Sequence, residues 1–263
     1  MDIASIGGIA LAIIGILAGM MIEGGSIAQI TQPTAAMIVI GGTVGAVMLQ
    51  FPMNIFLAAI KAIGKVFLHK GSNGEATLAQ LVAFANKARK SGIISLDADL
   101  ASVSDPFLKQ ALMLAIDGTE PSEVRKIMQL ELENKSEIEE KIPAVFEAGG
   151  GYAPTVGIIG AVLGLIQVMK NLDNIDEVGR GIATAFVATI YGVGIANLIC
   201  LPAAGKLKIR HREETMLKEM MIEGVISIME GMNPRMMETK LRTFLFESKK
   251  PSAATGTTRE ATA

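Results

Sequence analysis

Cysteine and histidine are almost missing from this 263-residue sequence. The single thiol, Cys200, has no partner for an internal disulfide. His69 and His211 stand apart from each other and from any thiol, so no zinc-like spacing arises. A disulfide scaffold and a metal centre are therefore not expected. A basic excess is missing too: Lys and Arg number 24 against 26 acidic residues, for a net charge of −2, which gives no electrostatic footprint for nucleic acid. No Ser-His-Asp-like arrangement and no P-loop lysine pattern occurs, so neither an enzyme nor a cofactor is expected. Charge itself is scarce at 19%, half the residues are hydrophobic and the mean hydropathy is +0.45, a balance that argues against a soluble enzyme.

The apolar residues are clumped into runs long enough to cross a bilayer. Four spans are expected, at residues 3–22, 35–51, 149–169 and 181–205, none holding Asp, Glu, Lys, Arg or His. The first run follows Met1 and Asp2 with no basic n-region and no clear cleavage site, so it reads as a span and not as a signal peptide. Residues 52–148 and 206–263 carry 11 basic residues each, whereas the hairpin loops 23–34 and 171–179 carry none. The positive-inside rule then puts both basic segments, and both termini, in the cytoplasm. The chain divides into spans one and two (1–56), a helical cytoplasmic domain (57–148), spans three and four (149–205), a helical tail (206–247) and a disordered C-terminus (248–263) whose Pro, Ser, Thr and Ala bias suits no core.

Helix punctuation supports that reading. Ser91-Gly92 can stop a helix that starts near Glu75, Asp105-Pro106 places an N-cap before a first-turn proline with Gly118 as the stop, and a further helix starts near Pro121. Pro143 is expected to kink that helix before the membrane. The stretch 206–229 continues span four, and Asn233-Pro234 caps a last helix ending near Phe246. The methionines read as flexible filler. Gly15 and Gly19, Gly41 and Gly45, and Gly160 and Gly164 are each four apart, and Ala188, Gly192 and Ala196 line one face of span four. Small residues let helices approach in lipid, either within the chain or between subunits.

Two prolines, Pro154 and Pro202, stand inside spans three and four, where each can bend its helix and leave a carbonyl free. They serve either as structural kinks or as parts of a wet pathway. Polar residues in the same spans are Thr155, Gln167, Thr184, Thr189, Tyr191 and Asn197. A proton relay needs a group that can titrate, and these spans contain no carboxylate or imidazole, so any ion path must borrow its acid from another polypeptide.

These residues resemble the MotA/PomA family, the A-subunits of the bacterial flagellar stator. The span layout, Tyr152-Ala153-Pro154 followed by Gly157-Ile158-Ile159-Gly160, the segment from Ala185 through Thr189 to Gly192 leading to Pro202, and the tail elements Glu223-Gly224, Gly231-Met232-Asn233-Pro234-Arg235, Glu238 and Leu241 carry the resemblance. Gly194 stands where a bulkier aliphatic residue is expected. The resemblance implies a homo-oligomeric ring of A-subunits in the inner membrane, around a dimer of MotB-like B-subunits that bring the ion-binding aspartate. It implies ion flow converted to torque, with Pro154 and Pro202 beside that carboxylate and Tyr152 and Thr155 in the same proline-led segment. It further implies that Arg89 and Asp97, in Arg89-Lys90-Ser91-Gly92-Ile93-Ile94-Ser95-Leu96-Asp97, meet the rotor protein FliG, although composition alone reads that loop as a solvated charged one. Asp97 is one methylene shorter than the glutamate often found in the family. Sodium-type members place a threonine where Ala161 stands, and Thr189 occurs more broadly, so the resemblance favours protons. An ExbB/TolQ-like unit, usually with three spans, and a passive membrane scaffold are the competing readings.

A chain with no carboxylate or imidazole in its spans is expected to conduct nothing alone. Proteoliposomes of the purified chain are expected to hold a pH gradient as long as protein-free vesicles do, and a protein-dependent proton leak would contradict this.

Overall fold

The computed structural model describes residues 2–68 and 74–245. It is all-α: no strand occurs among the described residues. The helices are α1 (Ile3–Ile22), the one-turn α2 (Ile27–Ile30), α3 (Pro33–Gln50), α4 (Met53–Leu68), α5 (Gly74–Ser91), α6 (Pro106–Ile116), α7 (Pro121–Lys170), α8 (Ile175–Gly194), α9 (Leu201–Met229) and α10 (Pro234–Arg242). A 3-10 segment, Ile93–Ser102, joins α5 to α6, and a π-helical turn, Ile195–Cys200, joins α8 to α9 without a break. Among the described residues, four helical stretches are long and apolar enough to cross a membrane: Ile3–Ile22, Pro33–Gln50, part of Pro121–Lys170 and part of Ile175–Met229. His69, the Phe246 end of the last helix and the proposed disorder from residue 248 lie outside the described residues.

Two compact units form, one from Met1–Ser72 and Leu130–Thr215, the other from Asn73–Gln129 with the described residues from Met216 onward. The first unit thus takes in α4 and the ends of α7 and α9 nearest the spans, which the sequence reading had grouped with the helical domain and tail.

Within the first unit, α7 and α8 touch backbone to backbone. A Cβ on Gly157 would sit 2.9 Å from the Ala188 carbonyl oxygen, one on Gly164 2.7 Å from the Gly181 carbonyl oxygen, and one on Gly192 would overlap the Ala153 carbonyl. α3 closes the group: Gly42 meets Val156, and Ala35 and Val39 bury against Val187 and Ala188. The glycine pairs therefore divide. Gly160 and Gly164 are spent inside the chain, whereas Gly15, Gly19, Gly41 and Gly45 face open space.

α7 runs helical through Pro143 and Pro154 without interruption. Upstream of Pro202 the helix instead widens into the π turn. A wider turn relaxes the clash between a proline ring and the carbonyl four residues back, so the chain can continue helical.

The second unit is held by water-side chemistry. Asp105 caps α6 through Phe107 N (2.8 Å) and Leu108 N (3.2 Å), and Gly118 ends it at φ +80°. Leu81, Leu108, Leu112, Met128, Ile226 and Leu241 fill the core. Glu223 is clasped by Arg125 and by Lys240 at 2.6 Å, and these cations, Arg125 first, hold its carboxyl below the ordinary range. A Cβ on Gly224 would press 2.7 Å from Leu81.

At the other unit's α1, Asp2 caps the helix through Ala4 N (3.1 Å) and Ser5 N (3.4 Å). Its second oxygen meets Lys206 and, at 2.8 Å, Arg210 of α9. The hydrogen bond from Lys206, followed by the Ser5 amide and the charges of Lys206 and Arg210, lowers the Asp2 pKa from 3.8 to about 2. Because the folded value lies below the ordinary one, the clamp acts fully above about pH 5 and weakens only as pH falls from about 4 towards 2. Asp2→Asn should therefore speed hydrogen exchange at the start of α1 severalfold, equally at pH 5 and pH 8. A mutant effect confined to one of those pH values would contradict the assignment.

Candidate functional site

Pro154 and Ala161 lie seven residues apart on α7 and so share one face, which also carries Ile158. Pro154 and Ala161 are half-buried, and Ile158 is 57% exposed. On α8 the neighbouring surface carries half-buried Thr189, whose Cα lies 3.5 Å from the position of a Gly157 Cβ, and Phe186, which is 68% exposed. The close α7–α8 packing thus brings Pro154, Ala161 and Thr189 onto adjoining helices.

The polar side chains of these spans are turned to their own backbones. Thr155 Oγ1 donates to the Tyr152 carbonyl (2.8 Å), Thr189 Oγ1 to the Ala185 carbonyl (3.2 Å), Thr184 Oγ1 to the Arg180 carbonyl (2.9 Å) and Asn197 Nδ2 to the Val193 carbonyl (2.9 Å). These bonds satisfy the hydroxyls and the amide locally, next to a proline at Thr155 and inside the π turn at Asn197. Tyr152 and Thr155 are exposed. Tyr191 does a different job: its hydroxyl donates to the Ile30 carbonyl (2.6 Å) and accepts from Gln32 N (3.3 Å), fastening the α1–α3 hairpin to α8.

Towards the start of α8, Gln167, Thr184 and the Glu177–Arg180 ion pair (2.7 Å) line a recess of about 230 Å³ between α3, α7 and α8. At the other end, Pro202 is exposed and borders an open cleft with Asp2, Lys206, Arg210 and Glu213. Pro154 is not among the residues that line this cleft. Among the described residues no cluster of His, Cys, Asp and Glu could hold a metal.

Arg89 and Asp97 are both exposed, in the last turn of α5 and in the 3-10 segment. Between them the chain turns at Gly92, whose φ is +80°, and buries Leu96. The Lys87–Asp99 ion pair (2.6 Å) pins that turn without using Arg89 or Asp97, and leaves Ile94 73% exposed beside them. Sequence reasoning missed Ile94, although its place between two exposed charges was a legible signal. It also missed Thr43, buried in α3 with no hydrogen-bond partner.

Comparison with known proteins gives these features a context. Residues 99–220 match the MotA/TolQ/ExbB proton channel family, and residues 6–92 match the motility protein A N-terminal region. Motility protein A of Bacillus subtilis (strain 168) is 38% identical over 93% of this chain and 91% of its own length. Chemotaxis protein PomA of Vibrio alginolyticus is 32% identical, covering 95% of this chain and 98% of its own. A structure of C. jejuni MotAB superposes with a TM-score of 0.90 at 32% identity, over 95% of this chain and 98% of that one. The flagellar MotAB stator complex from Bacillus subtilis gives 0.86 at 37% identity, over 93% and 96%. Agreement in sequence and in backbone over more than nine-tenths of the chain places it among these membrane proteins: it belongs to the motility protein A (MotA/PomA) family of flagellar stator A-subunits.

Proposed function

We propose that this protein is the A-subunit of a proton-driven stator in the inner membrane of a bacterium, with both termini cytoplasmic, forming a ring of copies around a dimer of MotB-like B-subunits. The observation that carries the reading is a face without a partner. The spans hold no carboxylate or imidazole, yet α7 and α8 present Pro154, Ala161 and Thr189 amid exposed apolar residues such as Ile158 and Phe186. Such a face suits an apolar helix that brings its own carboxylate. The MotAB complexes, which this chain resembles in fold, support a B-subunit in that place.

Ions arriving from outside protonate the partner's aspartate and leave on the cytoplasmic side. Pro154 and Pro202 couple that cycle to helix movement, with Tyr152 and Thr155 shaping the proline-led turn. Membrane lipid covers the remaining outer faces of the spans. Arg89 and Asp97 meet charged groups on the rotor protein FliG, an arrangement their exposure favours. The four membrane-length helices fit this layout better than the three-span layout usual for ExbB/TolQ-like units.

Pro154→Leu and Pro202→Leu should insert normally and abolish swimming. Arg89→Glu should impair swimming with normal membrane levels, and an opposite charge change on FliG should restore it in part. Normal swimming in either proline variant removes the coupling role. Loss of Arg89→Glu protein from the membrane would make Arg89 a structural residue.

Protons are favoured over sodium because a sodium ion needs several oxygen ligands in place of water. Ala161 offers none, so one hydroxyl is missing from a sodium shell; Thr189, whose hydroxyl donates to the Ala185 carbonyl and keeps its oxygen lone pairs, would be a single ligand. Swimming speed should collapse with a protonophore and stay constant as sodium is varied at fixed pH. Speed that follows sodium and resists the protonophore would overturn the ion assignment.

A further inference from the structure

Thr189, Val193 and Asn197 are spaced by four along α8 and the π turn that continues it, so they share one face. On that face Asn197 stands about 12 Å beyond Thr189 in the direction of α9. Between Thr189 and Lys206 the polar side chains are Tyr191, Asn197 and Cys200. The Tyr191 hydroxyl is committed to Ile30 and Gln32, and the half-buried Cys200 thiol lies beside Gly149. Asn197 alone of the three is exposed. Its Nδ2 donates to the Val193 carbonyl at 2.9 Å, which occupies one of the two N–H groups of the amide. The second N–H and the carbonyl oxygen bond to nothing else among the described residues.

At 1.5 Å per residue Asn197 lies roughly 13 Å before Lys206, the first charge that follows it, and roughly 25 Å after Arg180, the last that precedes it. It is therefore inside the span and not at its edge. A half-paired amide is unfavourable in hydrocarbon, and lipid tails offer it no partner. We propose that Asn197 is the inner polar station of the ion pathway: its free N–H and carbonyl oxygen hold the water through which a proton leaves the B-subunit's carboxylate for the cytoplasm. The proposal rests on the stator reading and adds a residue to it. A proton crosses such a distance along hydrogen-bonded water, and each ordered water needs two to four polar partners. The exposed neighbours Phe186, Ile190 and Val193 supply none, whereas Asn197 offers one donor and one acceptor. The amide does not titrate, so Asn197 is a positioning residue that orients water and takes no proton itself. Its bond back to Val193 fixes the direction of the amide.

Cys200 is the sole cysteine of the sequence, so Cys200→Ala gives a background without thiols. In that background Asn197→Cys is compared with Leu11→Cys. Leu11 is 75% exposed and stands nine residues after Asp2, as Asn197 stands nine before Lys206, and the Asp2–Lys206 ion pair sets the two at one depth. Each chain is purified with its B-subunit, returned to liposomes and treated with MTSET, a cationic thiol reagent. Asn197→Cys should react at least about tenfold faster than Leu11→Cys, because a charged reagent does not enter hydrocarbon. Equal rates would set Asn197 against lipid or a dry helix contact and overturn the proposal. In cells, Asn197→Leu should abolish swimming and Asn197→Ser, which keeps a hydroxyl for water, should retain it. In neither should the amides of Ile195–Cys200 exchange faster than in the wild type. Lost swimming together with faster exchange there would make Asn197 a brace of the π turn and overturn the proposal, as would normal swimming of Asn197→Leu. A wild-type chain that gives no swimming with its B-subunit would instead fail the stator reading, and the proposal with it.

Discussion

The contact of α7 with α8 through bare backbone is the constraint on which the membrane part depends. In lipid there is no hydrophobic gain from hiding one apolar helix against another, so attraction must come from close packing. At Gly157, Gly164, Gly181 and Gly192 the side chain is missing where the partner's backbone arrives, and any Cβ would meet a carbonyl oxygen at 2.9 Å or less. Everything nearby follows from that distance. Val187 and Ala188 are held where Ala35 and Val39 of α3 can cover them, and Tyr191 is brought within reach of Ile30 and Gln32. Because the small residues are spent inward, the large ones, Phe186, Ile158 and Ile159 among them, are left pointing out.

The second unit answers to the opposite solvent and uses the opposite means. Its core is aliphatic and methionine-filled, and its helices are tied by Glu223 to Arg125 and Lys240. The tail residues that carry much of the family resemblance prove to be the parts of this knot. Glu223 makes the ion pairs, Gly224 admits Leu81, Gly231 turns the chain at φ +69°, Asn233 caps α10 through Arg235 N at 3.0 Å, and Leu241 is wholly buried. Their specificity is that of a fold. The exposed residues of the neighbouring turn, Arg89, Ile94 and Asp97, have no such structural duty and are free to serve a contact.

Local signals were legible in the sequence and three-dimensional ones were not. The first span emerges with the same limits, and the Asp105, Gly118 and Asn233 punctuation reappears as caps and a turn, because hydropathy over twenty residues and capping over four need no distant partner. The Thr189 bond back to Ala185 was likewise readable from helix geometry. Which glycines meet a neighbour was not: Gly41 and Gly42 are adjacent, yet only Gly42 packs, and the choice is made by where Val156 lies. The same holds for Thr43, whose lack of a partner depends on what the other helices bring near it.

The two span prolines meet one physical problem with different local solutions, and the difference bears on how the helices could move. A proline leaves the carbonyl four residues back without its donor, and in lipid that group needs a substitute or a change of helical pitch. Around Pro154 the helix stays α-helical; the carbonyl four residues back is that of Gly150, and the Thr155 hydroxyl engages a different one, that of Tyr152. Ahead of Pro202 the pitch itself changes over Ile195–Cys200, and the Asn197 amide engages the Val193 carbonyl. A stretch that keeps its α-helical pitch holds one geometry. A π turn trades its hydrogen bonds between the fourth and fifth neighbour, so it can shift by a residue without exposing a bare carbonyl to lipid. Of the two places, the compliant one is therefore the turn before Pro202. There α8 passes into α9, and the first residues of α9 reach the Asp2 clamp through Lys206 and Arg210. A displacement at the π turn would be carried along that helix and would pull on α1 through those ion pairs.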